Sequence, residues 1–147
     1  MDQGVSTGKI VVGVDGSPAS IEALKHARSI AVPLGAQVVA VACWMFPQVY
    51  GGYVAPDVED YEKEAQGILE ESLARAFGPA LPGNVTSRLV CGPARDLLID
   101  ASKDADMLVV GRRGHGGFAG LLLGSVSSAC VAHALCPVLV VHAPENG

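Results

Sequence analysis

No apolar stretch in this chain approaches the ~20 residues that a membrane-spanning helix needs. The opening residues, 1–8, lack the apolar segment of a secretory signal and read as a flexible polar lead-in to one domain over 9–147. Neither a run of lysine and arginine nor an overall positive charge is present. The net charge is −5, which argues against general nucleic-acid binding. The four cysteines, Cys43, Cys91, Cys130 and Cys136, form no CxxC and no Cys/His ligand spacing. Three of them sit in apolar surroundings, so the expectation is buried, reduced thiols in a cytoplasmic protein. Internal repeats and interdomain linkers are also missing.

What is abundant is apolar sequence. Half of the 147 residues are hydrophobic and the mean hydropathy is +0.37. One domain of this size buries ~70% of its unfolded surface. Strands of a parallel sheet covered on both faces read as continuous Val/Ile/Leu runs, and the chain has them at 9–15, 37–44, 106–110 and 136–142. A run of mixed polarity at 84–91 reads as an edge strand. Between these runs lie helical patterns. The first starts at Ser17, a good N-cap, with Pro18 in the first helical position. It carries Ile21, Leu24, Ala27, Ala31 and Leu34 as its inward stripe and stops at Gly35. The second, over 57–77, lines Val58, Tyr61, Ala65, Ile68, Leu69, Leu73 and Ala76 along one side. A short third follows Gly92-Pro93, with Leu97, Leu98 and Ala101 inward, and a fourth covers about 125–135. Strands alternating with helices imply an α/β fold with a parallel sheet and right-handed crossovers. The segment 47–56, rich in glycine, proline and tyrosine, reads either as a surface connection or as a mobile flap beside a ligand.

Chemistry concentrates at two places. Strand 1 ends at Val14-Asp15-Gly16-Ser17. Strand 4 ends at Val110-Gly111, and a glycine-rich cationic loop with Arg112, Arg113, Gly114 and His115 runs on to Gly124-Ser125-Val126-Ser127. Glycines let bare backbone N–H groups approach a ligand, and a helix N-terminus favours an anion. Ligands of open α/β sheets bind beyond the carboxyl ends of strands where strand order reverses. If strands 1 and 4 are neighbours, Asp15 offers an acceptor at one end of a crevice and the glycine loop offers donors at the other. That division suits a nucleotide. Two readings of Asp15 stand, ligand contact and turn cap. Ser125 and Ser127 can likewise cap a helix or hold phosphate, and Arg112 and Arg113 can be solvated loop cations. His115, on a glycine-flanked tip, is a poor candidate for a base.

The spacing Gly111-x2-Gly114-x9-Gly124-Ser125 fits neither the P-loop nor the dinucleotide fingerprint. It resembles instead the nucleotide-binding universal stress proteins, G-x2-G-x9-G-S/T. The resemblance extends to Val14-Asp15-Gly16-Ser17, to the run 106–111 and to Cys136-Pro137-Val138-Leu139-Val140-Val141. It implies a single five-stranded parallel sheet of order 3-2-1-4-5 with helices on both faces, the adenine nucleotide alpha hydrolase-like fold. It further implies that the backbone at Gly111, Arg113 and Gly114 contacts ribose and phosphates. Gly124, Ser125, Val126 and Ser127 would hold phosphates, and Asp15 would bind near the ribose or a metal. Cys43 at the end of strand 2 would meet the adenine edge, with Val110 beside the base. The implied ligand is ATP with Mg²⁺, and the implied partner is a second copy paired through the fifth strand. No convincing acid and base pair accompanies the loop, so the expected role is nucleotide-dependent regulation in a stress response, with slow hydrolysis at most. A cAMP-preferring pocket and an ATPase or phosphotransferase are the alternatives.

Overall fold

A computed structural model describes residues 8–45, 58–112 and 124–143. Five strands, β1 (Lys9–Val14), β2 (Gln37–Trp44), β3 (Val85–Cys91), β4 (Met107–Gly111) and β5 (Val138–Val141), alternate with four helices. The helices are α1 (Pro18–Leu34), α2 (Val58–Phe77), α3 (Ala94–Ala101) and α4 (Ser125–His133), and a single 3-10 turn, Ser102–Asp104, extends α3. Every strand pairing is parallel and the order is β3-β2-β1-β4-β5. The chain builds outward from β1 to β3, then returns to the other side of β1 for β4. The switch point therefore lies between β1 and β4, at their carboxyl ends.

Alternation along the strands divides the core in two. Ile10, Val12, Val14, Val38, Ala40, Ala42 and Val109 face α1 and α2, against Leu24, Leu69 and Leu73. Val11, Val41, Leu108 and Val110 face α3 and α4, against Leu98 and Cys130. Both faces of the central strands are covered, which is why their sequences run apolar without interruption. The mixed polarity of β3 marks a sheet edge, as read above.

Local chemistry explains the first crossover. Gly16 takes φ 85 in the turn after β1, a left-handed conformation that favours glycine. Ser17 Oγ accepts from Ser20 N at 3.2 Å, capping α1 as expected. At the other end Gly35 takes φ 65 and Ala36 N donates to Ala31 O at 3.0 Å, a Schellman closure.

Some inward assignments are corrected. Leu34 is 69% exposed and Ile68 41%. In α1 the buried stripe keeps Leu24, Ala27 and Ala31 of the expected one and adds Ala19, Ser20 and Ala23 in place of Ile21 and Leu34. Small residues carry it because the helix lies close on the sheet. The fourth helix ends at His133, short of 135. Of the expected lead-in 1–8, residues 1–7 lie outside the described residues, as does the segment 47–56, while Gly8 O accepts from Gln37 N at 2.8 Å.

Candidate functional site

Beyond the carboxyl ends of β1 and β4 lies a cavity of about 300 Å³. It is lined by Gly13, Val14, Asp15, Ser17 and Ser20 from β1 and the start of α1. Val41 and Cys43 come from β2, Ala94 and Leu98 from α3, and Val110 and Gly111 from β4. The start of α4 adds Gly124, Ser125, Val126 and Ser127. Ten residues singled out in the sequence thus line one cavity. Gly16 instead lines a separate hollow between α1 and α2. Arg113, Gly114 and His115 lie outside the described residues.

One end of the cavity is a tight polar turn. Asp15 Oδ1 accepts from Ser17 N at 2.9 Å and from Ser17 Oγ at 2.5 Å. Ser20 Oγ accepts from Asp15 N at 3.3 Å and donates to Ser17 O at 3.0 Å. Asp15 therefore does cap its own turn, through Oδ1. A carboxylate offers about four lone-pair sites, so turn capping and ligand binding are compatible.

The opposite end is the start of α4. Its first intrahelical bond runs from Ser128 N to Gly124 O at 2.9 Å. The N–H groups of Ser125, Val126 and Ser127 precede it and have no partner within the helix. Gly124 N, in contrast, donates to Arg112 O at 2.8 Å, and Ser127 Oγ donates to the same oxygen at 2.8 Å. Arg112 Nη1 lies 3.5 Å from His142 Nδ1, and neither residue lines the cavity.

The walls between these ends are apolar. Gly13 is part of the reason: a Cβ built there would fall 2.8 Å from Leu98 Cδ1. Gly111 has a different reason to be glycine. A Cβ there would meet Ala19 Cβ at 2.8 Å, Ala19 C at 2.9 Å and Ser20 N at 3.0 Å. It would point at α1, not into the cavity. Gly13, Ser20, Val41, Ala94 and Leu98 were not singled out as site residues above. The period of two would have found the two strand residues, since Gly13 and Val41 precede Asp15 and Cys43 by two. Nothing local marks Leu98 or Ala94, which arrive from α3.

Burial pushes the Cys43 thiol up to about 11. Burial also raises Cys130, reinforced by Cys136, and raises Cys136, reinforced by Asp106. All four cysteines are free, but the expectation of buried thiols is corrected at Cys91, which is exposed on β3. Cys91 is expected to react first with iodoacetamide at pH 8, and Cys43 more slowly, with its rate climbing only as the pH nears 11. Mass spectrometry of the alkylated chain checks this; equal rates would contradict it. The linkage has a definite sign. The folded chain keeps the Cys43 proton to higher pH than the unfolded chain, so this contribution to stability is full below the ordinary thiol pKa. It is lost as pH rises towards about 11.

Comparison with known proteins agrees with this geometry. The model of the universal stress protein family matches residues 7–142. A universal stress protein of Mycolicibacterium smegmatis is 35% identical over 136 residues, covering 90% of this chain and 45% of the relative. One of Mycobacterium tuberculosis is 35% identical over 163 aligned positions, covering 99% of this chain and 51% of the relative. The chain thus spans about half the length of these curated relatives. Among solved structures, a universal stress protein in complex with cAMP superposes with a TM-score of 0.70 at 29% identity, covering 95% of this chain and all of the other. The sheet order is that of the adenine nucleotide alpha hydrolase-like fold these proteins share. With the sheet order, the cavity at the switch point and a family match over nearly its whole length, the chain belongs to the universal stress protein family.

Proposed function

We propose that the cavity binds an adenine nucleotide and that binding regulates the protein's conformation or partner affinity in a stress response. One observation carries this reading. Three residues whose N–H groups have no helical partner, an apolar slot and a carboxylate all line the same space. Phosphates suit the α4 end, where the helix dipole adds to the N–H groups. The base suits the slot between Val41, Cys43, Leu98 and Val110, whose walls carry no charge, the Cys43 thiol included. A ribose hydroxyl suits Asp15. The donor set fits ATP in this sense. Mg²⁺ would take most of its ligands from phosphate and water, as it commonly does. Among the described residues no group of three or more His, Cys, Asp or Glu is placed to hold a metal alone.

Of the described residues lining the cavity, Asp15 is the one carboxylate, and none is a histidine. The proposed role is binding, with slow hydrolysis at most. Turnover of many ATP per second, lost in Asp15→Asn, would overturn it. The second reading, a preference for cAMP, rests on the cAMP complex of the 29% identical neighbour. Denaturing the purified protein and identifying any released nucleotide is the first test. Calorimetric titration with ATP, cAMP and AMP then ranks them, and binding weaker than millimolar for all three would sink the proposal. Gly13→Ala should push the Leu98 tip into the slot. Nucleotide affinity is expected to fall several-fold while stability changes little, because the obstructing atom is the end of a flexible side chain. Unchanged affinity would move the base elsewhere.

Pairing of a second copy at β5 completes the proposal. Among the described residues it is the last strand beside β4 and its outer edge is unpaired, and Val138, Leu139 and Val140 are only half-buried. Sedimentation as a monomer at micromolar concentration would remove this part. The four unpaired cysteines suit a reducing cytoplasm. No helix among the described residues is long and apolar enough to cross a membrane.

A further inference from the structure

We propose that Ser127 is a positioning residue: its hydroxyl clamps the start of α4 to the end of β4, and so aims the free N–H groups into the cavity without itself donating to the ligand. A serine hydroxyl has one proton. Here that proton goes to Arg112 O at 2.8 Å, with a weaker approach to Gly124 O at 3.2 Å. The same Arg112 oxygen accepts Gly124 N at 2.8 Å, so both of its lone pairs are taken. Arg112 N donates in turn to Val141 O at 2.7 Å. The residue on whose carbonyl the clamp closes is thus fastened to β5 through its own N–H.

The consequence for an anion follows from proton count. The Ser127 oxygen facing the cavity would present lone pairs, which repel phosphate, unless the clamp were broken. Gly124 N–H is committed as well. Among the described residues the donors left at this end are the Ser125 hydroxyl and the backbone N–H groups of the first helical turn, and the direction of the latter is set by where the helix starts. Ser127 is 3% exposed and its bond spans fifteen positions of sequence. A contact that closes so long a segment from a buried side chain holds the helix start in one place, which is the requirement for preorganised donors. Only the affinity arm of the test below rests on the nucleotide reading above.

Amide hydrogen exchange on the full, nucleotide-free chain tests the clamp directly. In Ser127→Ala the Gly124 amide is expected to exchange about tenfold faster, while the amides of β1 keep their wild-type rates. Ser127→Thr and Ser127→Val form a second pair that shares any cost of the added methyl and differs in the hydroxyl; Thr should keep Gly124 protected and Val should not. ATP affinity is expected to fall about tenfold in the Ala and Val variants, to survive in Thr, and adenosine affinity to stay constant in all. Weakened ATP binding with Gly124 exchange unchanged would make the hydroxyl a direct phosphate donor and overturn the proposal. Faster exchange with ATP affinity intact would overturn the aiming role. Faster exchange in a protein whose wild type binds neither ATP nor adenosine would keep the clamp and remove the nucleotide reading.

Discussion

Gly111→Ala is expected to lower the melting temperature of the nucleotide-free protein by roughly 3–8 °C, a loss of about 1–2 kcal/mol. The glycine stands at the end of β4 with ordinary strand geometry, since it is absent from the positive-φ glycines. Alanine is therefore allowed conformationally, and stiffening the unfolded chain would by itself stabilise by about 0.4–1 kcal/mol. The steric term has the opposite sign and is larger. The new Cβ would lie 2.8–3.0 Å from Ala19 Cβ, Ala19 C and Ser20 N. Two of these are backbone atoms of the first turn of α1, which cannot step aside as a side-chain tip can. Overpacking of this kind costs about 1–3 kcal/mol. Scanning calorimetry without ligand measures the shift. An unchanged melting temperature together with lost nucleotide binding would restore Gly111 to the role of a ligand glycine.

Ser125→Pro is expected to do the reverse, weakening ATP binding roughly 10- to 100-fold with little change in stability. Ser125 is the first residue of α4, where the N–H has no helical partner and proline is well tolerated. The preceding Gly124 has φ −67 and ψ 166, the extended conformation that a residue before proline needs. The substitution therefore deletes one donor and keeps the helix. A hydrogen bond to a charged group contributes about 1.5–3 kcal/mol, which sets the expected factor. Ser125→Ala removes the hydroxyl alone and separates the two groups. ATP affinity within twofold of wild type in Ser125→Pro would mean that no phosphate sits at this helix start. The two variants together distinguish a glycine needed for packing from a residue needed for the ligand, although both belong to one spacing motif.

How far the sequence alone reaches can be judged residue by residue. The apolar runs show where strands lie, because a strand buried on both faces has no polar option at any position. Ser17 with Pro18, and Gly35, bracket α1 correctly, since caps and left-handed glycines are demands of the local backbone. The glycine spacing, with Asp15 at the end of the first strand, pointed to the crevice that the sheet order then formed. These signals are local, or are carried by a resemblance covering most of the chain.

Other matters were decided only by packing between distant segments. Leu34 fits the helical period yet lies exposed, because it is the last residue of α1, while Leu24, Ala27 and Ala31 of the same stripe are buried. Leu98 enters the cavity wall from another helix, and Gly13 makes room for it across the sheet surface. Gly111 looked like a ligand glycine, and its lack of a side chain is explained by α1 lying against it. Ser127 looked like a hydroxyl for phosphate, and its proton is spent on the carbonyl of Arg112. Sequence by itself determined which backbone and side-chain groups this protein has to offer at the switch point. Tertiary structure decided which of them remain free, because a hydroxyl has one proton and a hydrogen bond made inside the fold is not available outside it.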